Sequence, residues 1–165
     1  MRRRCCVTGL LLASTILAAR AQPVPTAPDE AASSAVDGTI VPDDAVVREM
    51  LKGTHGLSES DLRDGLRRCD GNNLQMRICA TYLWTVQDMR LNRVYAQALV
   101  TATNAGTAAA LLKAQRAWLA YRDAECAFEG ARGAADGTME GFYVLECKES
   151  LTRQQADRLD DDFRH

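Results

Sequence analysis

Proline is missing from this chain after Pro42; all four prolines (Pro23, Pro25, Pro28 and Pro42) stand between residues 22 and 42. More than 120 residues therefore follow with no helix breaker of that kind, and long uninterrupted helices are open to them. Strand-like alternation of apolar and polar residues is almost absent, which argues against a sheet. Histidine occurs only at His55 and His165, neither at a metal-ligand spacing from cysteine. No Cys-x-x-Cys pair is present, which removes a thioredoxin-type redox site and a zinc ribbon. No phosphate loop or dinucleotide fingerprint occurs, and nothing places a serine beside a histidine as nucleophile and base. The sequence thus points to no enzyme, no cofactor and no metal. Aromatic residues make up only 5%, so Trp84, Trp118, Tyr82, Tyr95 and Tyr121 read as core and hairpin packing, not as a sugar-binding platform.

The first residues fix the compartment. Arg2, Arg3 and Arg4 precede a short apolar stretch, Val7 to Ala19, and Ala19-Arg20-Ala21 offers small residues at the positions a signal peptidase reads. The stretch falls short of the roughly 20 residues of a membrane span. Residues 1–21 are therefore expected to be a cleaved signal peptide, taking Cys5 and Cys6 with them and leaving Gln22 first. The product is expected in the periplasm or medium, with no stable membrane span. The whole chain has 20 Lys+Arg and 22 Asp+Glu. Without Arg2, Arg3, Arg4 and Arg20, 16 basic side chains face 22 acidic ones, a formal net charge of −6. Such a surface disfavours nucleic acid and favours a basic partner.

Residues 22–42, proline-rich and poor in apolar side chains, are expected to form a disordered tether, with one helical domain from 43 to 165. Asp43 or Asp44 can cap a short helix carrying Val46, Val47, Met50 and Leu51, ended by Gly53. Ser58 with Asp61 resembles a capping box opening a second, Glu59 to Arg68. After Cys69-Asp70-Gly71-Asn72-Asn73, a long helix runs from Leu74 to about Thr103, with Cys79, Tyr82, Leu83, Val86, Met89, Ala96, Leu99 and Val100 at helical spacing. Asn104-Ala105-Gly106 closes it and Thr107 can cap the next. That helix carries Leu111, Leu112, Trp118, Leu119 and Cys126 until Gly130 and Gly133 stop it. Asp136 or Thr138 can start a last helix with Phe142, Leu145, Leu151 and Leu159, and Asp160-Asp161-Asp162 reads as its charged end. The expected fold is all-α: a three-helix core, made of a long antiparallel hairpin plus a C-terminal helix, with short N-terminal helices.

Polar residues interrupt both apolar stripes. If the hairpin turns near Ala105, Asp88 and Arg122 lie 17 residues either side of it and share a level; Asn92 and Gln115 lie 13 before and 10 after. An Asp88–Arg122 ion pair and an Asn92–Gln115 hydrogen bond are expected, as a structural polar seam that fixes register.

Gln75-Met76-Arg77-Ile78-Cys79-Ala80, Leu91-Asn92 with Tyr95, the run Ala114-Gln115-Arg116-Ala117-Trp118-Leu119 through Tyr121-Arg122-Asp123 and Cys126, and Cys147 with Thr152 and Arg153 together resemble the lysozyme inhibitor LprI-like family, over about residues 69–159. The resemblance implies an exported bacterial helical domain and, for the member that gives the family its name, inhibition of lysozyme. Two functions follow: an inhibitor that docks on a basic lysozyme-type muramidase and so protects the cell wall, or a non-inhibitory structural or adaptor module of the envelope. The loop between Gly130 and Thr138 and the acidic helix ends are the candidate docking surfaces.

Cys69, Cys79, Cys126 and Cys147 remain after signal cleavage, an even set that reads as two disulfides in an oxidising space. Four cysteines allow three connectivities. With Cys69 before the long helix, where the next helix should end, Cys69–Cys126 and Cys79–Cys147 are the favoured pairs.

Overall fold

A computed structural model describes residues 38–54, 56–134 and 137–163. The expected signal peptide (1–21), most of the expected tether, and His55, Asp136 and His165 lie outside the described residues. Five helices follow in order: α1 (Asp44–Gly53), α2 (Glu59–Leu66), α3 (Asn73–Asn104), α4 (Ala108–Ala134) and α5 (Glu140–Phe163). The described residues contain no β-strand, and the chain is all-α with three long helices preceded by two short ones.

Local chemistry sets most helix starts. Asp43 caps α1, its carboxylate accepting from the amides of Ala45 and Val46. Ser58 and Asp61 form the reciprocal capping box of α2, and Asn72 with Gln75 forms a second one at α3. Thr107 does not cap α4 through its side chain; its hydroxyl donates to the Ala102 carbonyl and closes the turn after α3. Thr138 does not start α5. Its hydroxyl accepts from Asn73 Nδ2 at 2.5 Å, tying the approach to α5 onto the start of α3, and the helix opens two residues later.

The last residues of the expected tether are docked. The Ile40 amide donates to Leu66 O at 2.8 Å, the Cys69 amide donates to Gly38 O at 2.7 Å, and the Ile40 side chain is buried. The α2–α3 turn gives this short segment the backbone partners that its composition does not advertise.

α5 is the central element: it packs along α3 and against α4, whereas α3 and α4 touch much less. The expected tight α3–α4 hairpin is thus opened by α5. This explains a shift in the buried face of α3. Its first half presents Ile78, Cys79, Tyr82 and Val86 to α1 and α2. Its second half buries Leu91, Val94, Ala98 and Ala102, while Ala96 and Val100 of the expected stripe face solvent. The helix changes partner along its length, so no single stripe serves all of it. α4 differs more: its buried residues are Gln115, Arg122, Cys126 and Gly130, and Leu119 is exposed. Gly130 does not stop the helix. A Cβ there would lie 2.4 Å from Val144 Cγ2, so glycine is what lets α4 and α5 approach.

The disulfides are Cys69–Cys79, with Cα atoms 5.6 Å apart, and Cys126–Cys147, with Cα atoms 5.4 Å apart. The favoured pairs, Cys69–Cys126 and Cys79–Cys147, are therefore corrected. They assumed that the end of α4 lies beside the start of α3. Instead Cys126 faces α5, and Cys79, one turn and a half into α3, faces back toward the end of α2.

Candidate functional site

A polar layer joins the two halves of the bundle. Arg122 of α4 is only 6% exposed. Its Nη1 lies 3.7 Å from Asp88 Oδ1 on α3 and 3.5 Å from Thr152 Oγ1 on α5, and its Nη2 donates to Asp123 Oδ1 at 2.9 Å. The guanidinium lies over Trp118, 5.3 Å from the ring centroid, a placement suited to a planar cation. Lys148 extends the layer, 3.6 Å from Asp123 and over the Trp84 ring. Burying a cation is tolerable only with such partners.

Of the four seam residues, Asp88 and Arg122 are thus brought together across α3 and α4. Asn92 and Gln115 are not. Asn92 is exposed and donates to Asp88 of its own helix at 3.1 Å, whereas Gln115 accepts from Gln155 Nε2 at 3.0 Å. The central position of α5 is the reason: it supplies the partner that the hairpin alone would have had to supply. Gln155 and Thr152 were missed from sequence, although both sit at apolar-stripe spacing on α5, three apart and before the buried Ala156 and Leu159. Within the layer the charges are paired with one another across α3, α4 and α5.

Two surface grooves are candidates for binding. The larger, about 560 Å³, lies between the end of α1 and α3 and is lined by Met50, Trp84, Thr85, Asp88, Met89 and Asn92 among others. Most of its polar groups are engaged: the Thr81 and Thr85 hydroxyls donate to Arg77 and Thr81 carbonyls, Asp88 serves Arg122 and Asn92, and Lys148 sits on the Trp84 ring, although the buried Trp84 Nε1 has no hydrogen-bond partner. The smaller, about 470 Å³, runs between α4 and α5 beside Cys147 and is lined by Tyr121, Glu125, Glu129, Arg132, Tyr143 and Glu146 among others. Here Glu125 and Glu146 have no ion-pair partner among the described residues, while Glu129 pairs with Arg132. Partial burial, with Glu149 nearby as a second cause, holds the Glu146 carboxyl above its ordinary range. Tyr121 and Tyr143 rise on either side and are both exposed. Carboxylates without an ion-pair partner beside exposed tyrosines suit a cationic side chain.

This groove adjoins one surface expected from sequence, with a correction. Gly130 to Ala134 are helical, not loop, and residues 135–136 lie outside the described residues. In the acidic run at the end of α5, Asp160 pairs with Arg90 of α3 at 3.6 Å and Asp162 with Arg158 at 2.9 Å. Among the described residues no cluster of three or more His, Cys, Asp or Glu is placed to hold a metal ion, and no helix is long and apolar enough to cross a membrane.

Comparison with known proteins adds a family. The sequence profile described as lysozyme inhibitor LprI matches residues 68–159. An uncharacterized protein of Rhizobium meliloti (strain 1021) is 35% identical over 115 residues, covering 61% of this chain and 77% of that protein. No solved structure matches. The matched region holds α3, α4 and most of α5, both disulfides, the polar layer and the acidic groove.

Proposed function

The chain belongs to the lysozyme inhibitor LprI family, and from that premise we propose that it is an exported inhibitor of a basic lysozyme-type muramidase, acting by binding and not by catalysis. The observation that carries the reading is the α4–α5 groove, where Glu125 and Glu146 stand unpaired between Tyr121 and Tyr143. Tyrosine is a preferred anchor at the centre of protein interfaces, and unpaired carboxylates beside it select a cationic partner and speed its approach. The Cys126–Cys147 disulfide joins the two helices that form the groove, so little conformational freedom is lost on docking. Both disulfides require an oxidising compartment, which agrees with the signal peptide read from residues 1–21.

The test is a muramidase assay with oxidised, folded protein at low salt. Inhibition should weaken as salt rises, because exposed charges are screened beyond about 8 Å at physiological ionic strength. Glu125→Lys with Glu146→Lys should abolish it while the helical content stays unchanged. Full enzyme activity at excess protein and low salt would refute the inhibitor reading and leave the non-inhibitory envelope adaptor.

A further inference from the structure

The outward face of α4 carries a second pattern, which shares only Tyr121 with the groove. Ala110, Ala114, Ala117, Tyr121, Ala124, Phe128 and Ala131 recur at alternating intervals of four and three, and every one is exposed. Tyr121 is 54% and Phe128 60% exposed, among the most exposed large apolar residues of the described chain. At about 100° per residue these positions lie opposite Gln115, Arg122 and Cys126, the residues α4 turns toward the rest of the bundle. No charged side chain interrupts the stripe over about 32 Å. A surface helix of a globular domain keeps its apolar stripe for its own core. A narrow stripe at a 3.5-residue period is the seam of a helix pair.

We infer that this seam pairs α4 with α4 of a second copy of this chain, in antiparallel orientation. Orientation follows from size. The three positions in one heptad register are Ala114, Tyr121 and Phe128; the four in the other are all alanine. Parallel pairing matches like with like, stacking Tyr121 on Tyr121 and Phe128 on Phe128 and leaving voids at the alanine layers between. Antiparallel pairing matches one register with the other. With the two-fold axis between Arg122 and Asp123, Tyr121 meets Ala124 of the second copy, Phe128 meets its Ala117 and Ala114 meets its Ala131, so every bulky ring fills the space over an alanine. The same patch serves both copies, as a closed two-fold interface requires. The flanks bring no like charges together: Glu125 faces Trp118 and Arg132 faces Leu111 on one side, and Lys113 faces Ala134 on the other.

The area sets the strength. Side chains of this size bury roughly 150–250 Å² each when fully covered. With the five alanines, the stripe offers roughly 500–600 Å² per copy, hence about 1,000–1,200 Å² in a pair, at the lower limit of specific interfaces. The dimer is therefore weak and concentration-dependent.

Sedimentation velocity on the oxidised protein, from about 1 μM to about 1 mM, spans the range in which so small an interface associates. Monomer should give way to dimer across that range, and a sedimentation coefficient that never rises overturns the proposal. Phe128→Glu should raise the dissociation constant by about 30-fold or more, as for loss of an interface anchor; Phe128 is exposed, so thermal stability should stay within about 1 °C of the parent. An unchanged dissociation constant in that variant overturns the proposal. Phe128→Ala and Ala117→Phe should each weaken the dimer, and the two together should restore it, because their layer again pairs one ring with one alanine. Failure of the double variant to recover, with its fold intact, refutes the antiparallel register. A spin label at Lys113 should report a label-to-label distance of about 30 Å across the antiparallel dimer, against about 10 Å for parallel pairing, and the short distance likewise refutes it. Phe128 and Ala117 lie outside the acidic groove, so these results do not depend on whether the groove binds a muramidase.

Discussion

The two halves of α3 are held by different chemistry. From Ile78 to Val86 the helix lies in an aliphatic cluster with Val46, Val47, Met50, Leu62 and Leu66, closed by Ile40 and stapled by Cys69–Cys79. From Asp88 onward it meets α5 and α4 through the Arg122 layer, then a thinner cluster of Leu91, Val94, Ala98, Ala156 and Leu159. Two short helices cover one face of the first half, where branched side chains fill the space, and the start of α5 lies along another, with Phe142 and Glu146 beside Cys79 and Leu83. The second half packs on two long helices, and its cluster holds fewer buried apolar residues. It gains in specificity instead: Arg122, Thr152, Gln115 and Gln155 each have one geometry that satisfies them. The groove is walled by α4 and α5 and the stripe lies on α4, on outward surfaces that take no part in either cluster.

The sharpest way to break the comparison is to empty the first core. Leu66→Ala should destabilise by about 3–4 kcal/mol, read as a shift in the urea midpoint. If the two halves fold as one unit, helical signal and tryptophan fluorescence should move together; separate transitions would show that the second half stands alone. Replacing Cys126 and Cys147 together by alanine should cost about 3 kcal/mol, in the range for a native crosslink of this loop size, and should weaken the proposed inhibition through looser groove walls. Arg122→Ala comes next. Asp88 is partly solvated, with a side-chain exposure of 39%, so the stranded carboxylate is rehydrated and the cost should be about 2 kcal/mol, less than for a fully buried pair. A variant that melts like the parent would show that the polar layer specifies register without adding stability.

The smallest effect is one of pH in the first half. Tyr82 is fully buried and its hydroxyl accepts from the Asp43 amide at 2.9 Å. Burial raises its pKa above the ordinary phenol value, because the ionised form is disfavoured there. A raised folded value means that the stability linked to this group is present in full below the unfolded value of about 10. It is lost as pH climbs through the folded value. Urea midpoints should therefore fall as pH rises above about 10, and Tyr82→Phe should flatten that fall.

How much of this was legible in the sequence depends on whether a signal is local. The Asp43 cap and the Ser58–Asp61 box set the first two helices within a few bonds of the chain, and both were readable. The long helices were readable because nothing interrupts them. Pairing between helices was not. The apolar residues of α4 lie all around it, so periodicity alone could not say that Arg122 and Gln115 face inward while Leu119 and Phe128 face out. The same ambiguity misplaced the disulfides and sent Asn92 toward Gln115. What decides these contacts is the position of α5, and that rests on close approach at Gly130 and on the fit of Thr152 and Gln155 to α4, none of which leaves a mark in local spacing. The groove was missed for a similar reason, since Tyr121, Glu125, Tyr143 and Glu146 come from two helices.

Among the cysteines of the described residues, each disulfide joins one to the next along the chain, 69 with 79 and 126 with 147. A polypeptide threaded through a membrane with its N-terminus leading exposes its thiols in that same order. An oxidant that simply joins each new thiol to the last one free therefore produces the native pattern at once. Cys69 and Cys79 can close before Cys126 has emerged, and the second pair then has no competitor. Maturation of this domain should need an oxidase but no enzyme to reshuffle its bonds.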